Sequence, residues 1–441
     1  MNIYLFNYLV IFFFGVLASS ILYGFSSSLT YIFLLFPLVF TIERYFFNIK
    51  KYLYSFSIIY FFLIIFLYYF NFKINSNGFF PHFDDSFYYN QGKNFLEESY
   101  YFDSLFDVVV WFFQLIGSNN FSLSAINWFL SILVLGLVYK VSIKIKPDFK
   151  PFFLIVLAFN MFFLECVVML LRDFLGLIFL LTSIFFILNK NKLFLPFAIF
   201  SMLVRHTTGI VAFIFYFFYN SKLINGVYKG KFLILLFLFI FIYLFYNYVP
   251  VGFLSRSGFD GPSTNFSLAD WNKVRFEFFF GESVGDLTTK LISLGAIAAP
   301  LLLILNIFTP LKPGDIFIDV EYKYMLDGVI YSNFYYNIFN YASLLSYFHL
   351  LFIGFFIIPF FDGFRVLLKK YGFNFLLLTF LICLIMVSYV SYQPRHRLHF
   401  LIFMPLICSY TNIPLNKIFI YGLIIESGLF LLFVFLGFLN F

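Results

Sequence analysis

The chain has 441 residues, 63% of them hydrophobic and 11% charged, with a mean hydropathy of +0.95. A soluble domain carries about 25% charged residues, so that class is excluded, and apolar runs near 20 residues along the whole chain predict an all-α, polytopic integral membrane bundle of about 12–14 segments. The net charge of +7 sits mostly in short loops, where it orients helices rather than marking a nucleic-acid partner.

Segments 3–25, 29–47 and 53–72 form an N-terminal group of three spans within 1–72. The first has no small-residue cleavage site and reads as a retained span, not a signal peptide. Arg44, Lys50 and Lys51 mark an inner loop, which puts the N-terminus inside and residues 73–120 in an outer loop. That loop carries HFDDSFYYNQGKNFLEES, residues 82–99. Asp84 or Asp85 either caps a short interfacial helix or acts as a general base that takes a proton from a sugar hydroxyl. His82, Tyr88 and Tyr89 would line the same place.

The central region, 121–250, holds spans at 121–140, 151–171, 174–188, 193–219 and 232–250, with Lys140, Lys144, Lys146 and Lys150 marking a further inner loop. In LLRDFLGLIFLL, residues 170–181, Arg172 and Asp173 stand between two apolar runs at an outer edge. Ionisable groups at such a place mark function by default. The alternative is a plain turn whose arginine snorkels outward beside a neutralising acid. Glu165 lies seven residues before Arg172, so on a continuous helix the two would share a face about 10 Å apart. The next run contains LVRHTTGIV, residues 203–211. With Lys190, Lys192 and Lys222 inside, 193–219 is a two-legged hairpin with Arg205 and His206 at its outer tip; the other reading is a single crossing. Arg205 beside His206 suits an anion.

Residues 251–340 read as outer loops with a possible re-entrant segment at 288–308. The region 341–441 holds spans at 341–361, 374–392, 398–412 and 418–440. His349 is a lone histidine in an apolar run and reads as structural. In SYQPRHRLHFLIFMPL, residues 391–406, Arg395, His396, Arg397 and His399 fall within five residues at an outer edge, where the positive-inside rule disfavours them. Lipid phosphate explains the cluster, because the arginine fork matches phosphate oxygens; headgroup contact without chemistry is the alternative. Cys166, Cys383 and Cys408 lie in apolar segments without CxxC spacing and read as core residues. No cofactor is indicated; a divalent metal is possible but unsupported by any motif.

The order of these features resembles the C-type (GT-C-like) membrane glycosyltransferases: acids in an outer loop (FDDSFYY), an acid at the outer end of a later span (LLRDFLG) and an arginine turn (LVRHTTGI). With PRHRLHFLIFMPL near the C-terminus, the chain is most similar to Wzy-type O-antigen and exopolysaccharide polymerases, over about residues 80–410 as an order of features. The resemblance implies polymerisation of undecaprenyl-pyrophosphate-linked repeat units at the outer face of a bacterial inner membrane. Asp84, Asp85 and Asp173 would be catalytic, and Arg172, Arg205, His206, Arg395, His396 and Arg397 would hold the lipid carrier's phosphates. The partners implied are a lipid-linked donor and acceptor, the bilayer and a chain-length regulator. A polyprenyl-phosphate-sugar-dependent transferase of a single sugar and a lipid-linked oligosaccharide flippase are the rival readings.

Overall fold

A computed structural model describes residues 3–74, 89–90, 105–116, 119–220, 317–326, 329–339, 341–372, 374–390 and 398–439. The chain divides into two units, residues 1–212 with 312–351 and residues 213–311 with 352–441. Among the described residues four helices are long and apolar enough to cross a membrane, or five if one bent pair counts as a span. The expected segments at 232–250 and 288–308 lie outside the described residues, so the number of crossings rests on sequence there.

The first unit is built on α1 (Ile3–Tyr23), α2 (Phe25–Tyr45), α3 (Lys50–Ile74), α4 (Leu105–Gln114) and α5 (Asn120–Ile145). Gly24 makes the tight α1–α2 turn with φ at 88°, a left-handed conformation that favours glycine. The core is aromatic. Phe12 stacks on Phe61 at 4.9 Å and lies 5.6 Å from Trp128, while Tyr31 lies 4.7 Å from Phe61. Each polar handle has a partner on another helix: Tyr8 and Ser57 hydroxyls at 3.0 Å, Trp128 Nε1 to the Ser57 carbonyl at 2.9 Å, and Tyr31 and Ser124 hydroxyls at 2.6 Å. In an apolar surrounding such small polar partners join helices where the hydrophobic effect does not. Asn119 starts α5 by accepting from the Ser122 N–H at 2.8 Å, and α5 then runs through the middle of the unit almost wholly buried.

Basic residues gather at one end of this unit. Lys50 pairs with Glu43 at 2.9 Å, and Tyr54 donates to the same carboxylate at 3.0 Å. Lys140 Nζ lies 5.9 Å from the Phe46 ring, and Lys144 Nζ lies 5.9 Å from the Phe185 ring. The basic loops that the sequence places on one side therefore share one end of the bundle.

The expected span at 151–171 is not one helix. A 3-10 turn (Pro151–Leu154) leads into α6 (Ile155–Ala158), a 71° bend follows, and α7 (Met161–Val168) ends before Arg172. Asn160 causes the break: its backbone is extended and its side chain accepts from the Phe162 N–H at 3.1 Å, an alternative to continuing the helix. The expectation that Glu165 and Arg172 share a helical face is overturned with it, because the helix that carries Glu165 stops at Val168.

Helices α8 (Asp173–Leu188) and α9 (Phe194–Val204) form an antiparallel pair. Ser183 bonds the Phe194 carbonyl near one end, and Ser201 bonds the Gly176 carbonyl near the other. Lys190, with φ at 53°, sits in the connecting turn. Helix α10 (His206–Asn220) follows after one extended residue. A Cβ on Gly209 would lie 2.8 Å from the Met202 nitrogen and 2.9 Å from the Ala198 carbonyl oxygen. Residues seven and eleven positions apart meet this closely only if the chain doubles back, so residues 193–219 make the two-legged arrangement.

The all-helical expectation fails at one place. Strands β1 (Phe317–Leu326) and β2 (Val329–Phe339) pair antiparallel from Phe317 opposite Phe339 to Leu326 opposite Val329, with one irregularity at Tyr322 and Tyr324. Val320, Tyr322 and Tyr324 alternate with Asp319, Glu321 and Lys323, a period-2 pattern of strand-favouring residues.

In the second unit lie the C-terminal part of α11 (Tyr341–Tyr371), α12 (Phe375–Val390), α13 (Leu398–Leu401), α14 (Met404–Cys408) and α15 (Leu415–Leu439). The expected span 398–412 is two short helices, with Pro405 at the start of the second, where its missing N–H costs nothing. Asp362 Oδ2 accepts from the Thr411 hydroxyl at 2.7 Å and the Asn412 N–H at 2.9 Å, tying α11 to the α14–α15 turn.

Candidate functional site

Two breaks in the chain meet inside the first unit. At the first, Met169 is extended (φ −84°, ψ 154°), and Met169, Leu170 and Leu171 are fully buried. Buried carbonyls outside a helix need partners. Asn127 of α5 supplies them: its Nδ2 donates to the Met169 carbonyl and, at 3.0 Å, to that of Leu171. Tyr68 of α3 adds a longer bond to the Val168 carbonyl at 3.4 Å. Helix α8 then starts at Asp173, which puts a carboxylate on the positive end of the helix dipole.

The second break is Arg205 itself, a single extended residue (φ −157°, ψ 115°) between α9 and α10. Its carbonyl accepts from the Thr208 and Gly209 N–H groups at 3.0 and 3.4 Å and so opens α10. Gly176 keeps this junction close to α8: a Cβ there would lie 3.5 Å from the Thr208 hydroxyl and 3.6 Å from Val204. The result is an ion pair between Arg205 Nη1 and Asp173 Oδ1, with side chains only 8% and 3% exposed. Phe163 of α7 lies 4.8 Å from Phe174 and packs the two sides of the first break together. Glu165 and Arg205 both act electrostatically on the buried Cys166 thiol, so the α7 carboxylate belongs to the same surroundings. The Lys190 turn is at the opposite end of α8, about 24 Å away for a helix of 16 residues.

Of the residues that the sequence singles out, the structure brings Asp173 and Arg205 together, with half-buried Arg172 next in the chain and buried Glu165 nearby. Tyr89 is half-buried, and its carbonyl accepts from Gln114 Nε2 at 2.8 Å. His206 opens α10, but its side chain lies outside the description. His82, Asp84, Asp85, Tyr88, Arg395, His396 and Arg397 lie outside the described residues. His349 and His399 are buried. Two residues that sequence reasoning passed over matter here. Asn127 stands in the apolar run AINWFLSILVLG, where an amide is itself the signal of a polar contact. Asp107, in the first turn of α4, is buried to the same degree as Asp173. Among the described residues no group of three histidine, cysteine or acidic side chains stands ready for a metal ion.

A carboxylate engaged by a guanidinium is a weak base and a good anchor. It fixes the arginine fork in one direction, and a guanidinium fork is a donor set whose geometry matches an anionic group. The arrangement thus suits binding an anionic group more than abstracting a proton. Comparison with known families, curated proteins and solved structures finds no match for this chain.

Proposed function

We propose that this chain is a membrane glycosyltransferase that acts on a glycan carried by a polyprenyl pyrophosphate and extends it by repeat units at the outer face of a bacterial inner membrane. The observation that carries the reading is the buried Asp173–Arg205 pair at two helix breaks, remote from the basic end of its unit. Buried ionisable groups in an apolar bundle are retained for function more often than for stability, because the pair costs desolvation that apolar packing would not.

In this reading an acceptor sugar hydroxyl attacks the anomeric carbon of the donor glycan. The new carbon–oxygen bond forms as the bond to the pyrophosphate oxygen breaks. Arg205, aimed by Asp173, and Arg172 stabilise the charge that develops on the departing pyrophosphate. Asp173 is a positioning residue here, which leaves Asp84 or Asp85 of the outer loop to take the hydroxyl proton. The sequence offers Arg395 and Arg397 as further phosphate ligands.

The test replaces Asp84, Asp85, Arg172, Arg205 (with Lys, which keeps charge and loses the fork) and Arg395 singly, then reads the length of the cell's surface glycan on gels. Single repeat units left on the carrier or lipid core at the outer face are expected. Chains of normal length from every well-expressed variant overturn the proposal. The broken helices favour one further reading, a transporter of the same lipid-linked glycan, since transporters build substrate sites from discontinuous helices. That reading predicts repeat units stranded at the cytoplasmic face. A single-sugar transferase predicts the loss of one sugar with no change in polymerisation elsewhere.

A further inference from the structure

Glu426 stands near the middle of α15, the twelfth of its 25 residues. At 1.5 Å per residue that is about 17–20 Å from either end; with α15 as the span that the sequence predicts over 418–440, Glu426 falls close to the centre of a hydrocarbon layer about 30 Å thick. Among the described residues its one bond is to backbone: Oε1 accepts from the Gly354 N–H of α11 at 2.6 Å. Among the described residues no lysine, arginine or histidine pairs with it. Leu423 and Ile424, just before it on α15, are 59% and 63% exposed, and Glu426 itself is half-buried, so the carboxyl lies beside a face turned to the surroundings.

The crossing is built around this contact. A Cβ on Gly354 would lie 2.7 Å from the Gly422 carbonyl oxygen and 2.9 Å from Glu426 Oε1, and a Cβ on Gly422 would lie 2.5 Å from the Phe355 ring. Two bare backbones therefore meet where the carboxyl docks. The bond that Glu426 receives from α11 comes from Gly354, and Phe355 packs on Gly422 one turn away. The nearest ionisable side chains along α11 are His349, five residues before Gly354 and buried, and Asp362, eight residues after it, whose Oδ2 is taken by Thr411 and Asn412; on α15 the nearest cation is Lys417.

A carboxylate in hydrocarbon without a cation costs several kcal/mol, more than one backbone hydrogen bond returns. Such a group takes up a proton instead. Protonation leaves the carbonyl oxygen free to accept, so the bond to Gly354 survives it. We infer that Glu426 is a proton-binding site in the plane of the membrane: at neutral pH it is the uncharged acid, with Oε1 clamped on the Gly354 N–H. The ligand of the site is the proton, and the inference does not rest on the chemistry proposed for the Asp173–Arg205 pair.

A lipid-soluble carbodiimide tests this directly, because the reagent needs the protonated acid. The carboxyl oxygen adds to the central carbon of dicyclohexylcarbodiimide while the acid's proton goes to a reagent nitrogen, and the acylisourea rearranges to a stable acylurea. The full chain in lipid nanodiscs is treated with this reagent or with a water-soluble carbodiimide, and the peptide that holds Glu426 is weighed. Label on Glu426 from the lipid-soluble reagent alone, lost at alkaline pH, is the expected result. Infrared spectra of the same samples should show a protonated-carboxyl band that Glu426→Gln removes and Glu426→Asp shifts. No label from the lipid-soluble reagent, or equal label from the soluble one, overturns the inference. The labelling of the unaltered chain decides the matter even where a variant does not fold.

Discussion

Asp173 and Glu426 are both acids in apolar helices, but their surroundings treat them in opposite ways. Asp173 is enclosed, stands at the start of its helix and faces a guanidinium. Glu426 is half-open, lies mid-helix and, among the described residues, bonds to an amide N–H. The first environment keeps a charge by supplying the counter-charge and a helix dipole. The second removes the charge by supplying neither. An intramembrane acid therefore has no single meaning; its partner decides whether it is an anchor or a proton carrier.

The contrast breaks most sharply at Arg205. Arg205→Ala leaves Asp173 buried and unpaired, and the expected loss is about 3–5 kcal/mol, read as a fall in the unfolding midpoint in detergent. Replacing both partners by leucine should recover most of that loss. A single variant as stable as the parent would mean that water reaches Asp173 and that the pair is not enclosed. Next in size is Asn127→Leu, which strips the Met169 and Leu171 carbonyls of their donor. It should cost about 1–3 kcal/mol, and it should also slow glycan extension if the first break holds Asp173 in place. Gly354→Ala comes third. The new methyl group meets the Gly422 carbonyl oxygen and Glu426 Oε1, so α11 and α15 must separate, at a cost of about 1–3 kcal/mol. Unchanged stability there would show that the two glycines are not in contact.

Much of this was legible from residues alone, and the exceptions have physical causes. The apolar runs at the N-terminus and at 121–140 became long helices, because nothing in them competes with the helix for backbone hydrogen bonds. The Arg172–Asp173 and Arg205 positions stood out as charges between apolar runs, and two of those three side chains meet. The expected span 151–171 hid two breaks, one at Asn160, whose side chain caps the start of α7, and one at Met169, which ends α7 and overturns the shared face of Glu165 and Arg172. The hairpin was missed although the sequence joining β1 to β2 is Asp327-Gly328, a dipeptide that favours two-residue turns. Expecting a loop between spans hid a period-2 pattern of tyrosines. Glu426 was missed because one acid in a 25-residue apolar helix carries no motif. Its meaning comes from a glycine 72 positions away, which no local pattern reports.

The last variant is the most discriminating. Glu426→Gln keeps the carbonyl oxygen that accepts from Gly354 and removes only the ability to ionise. If the folded chain holds the acid uncharged, the two should match only below about pH 4, where a glutamate exposed by unfolding also keeps its proton. Above that pH unfolding releases the proton, so the parent is already the less stable chain at neutral pH and falls further, by about 1.4 kcal/mol per pH unit, until the folded carboxyl ionises, while the glutamine variant stays flat in this respect. The sign follows from linkage: a group that binds its proton more tightly in the folded chain loses its contribution as that proton is withdrawn. Unfolding midpoints of the two chains measured across pH would read the difference. Parallel curves would place the Glu426 charge in water in both states and end the contrast with Asp173. Asp173→Asn, by contrast, removes the charge that Arg205 faces, and it should cost stability at neutral pH.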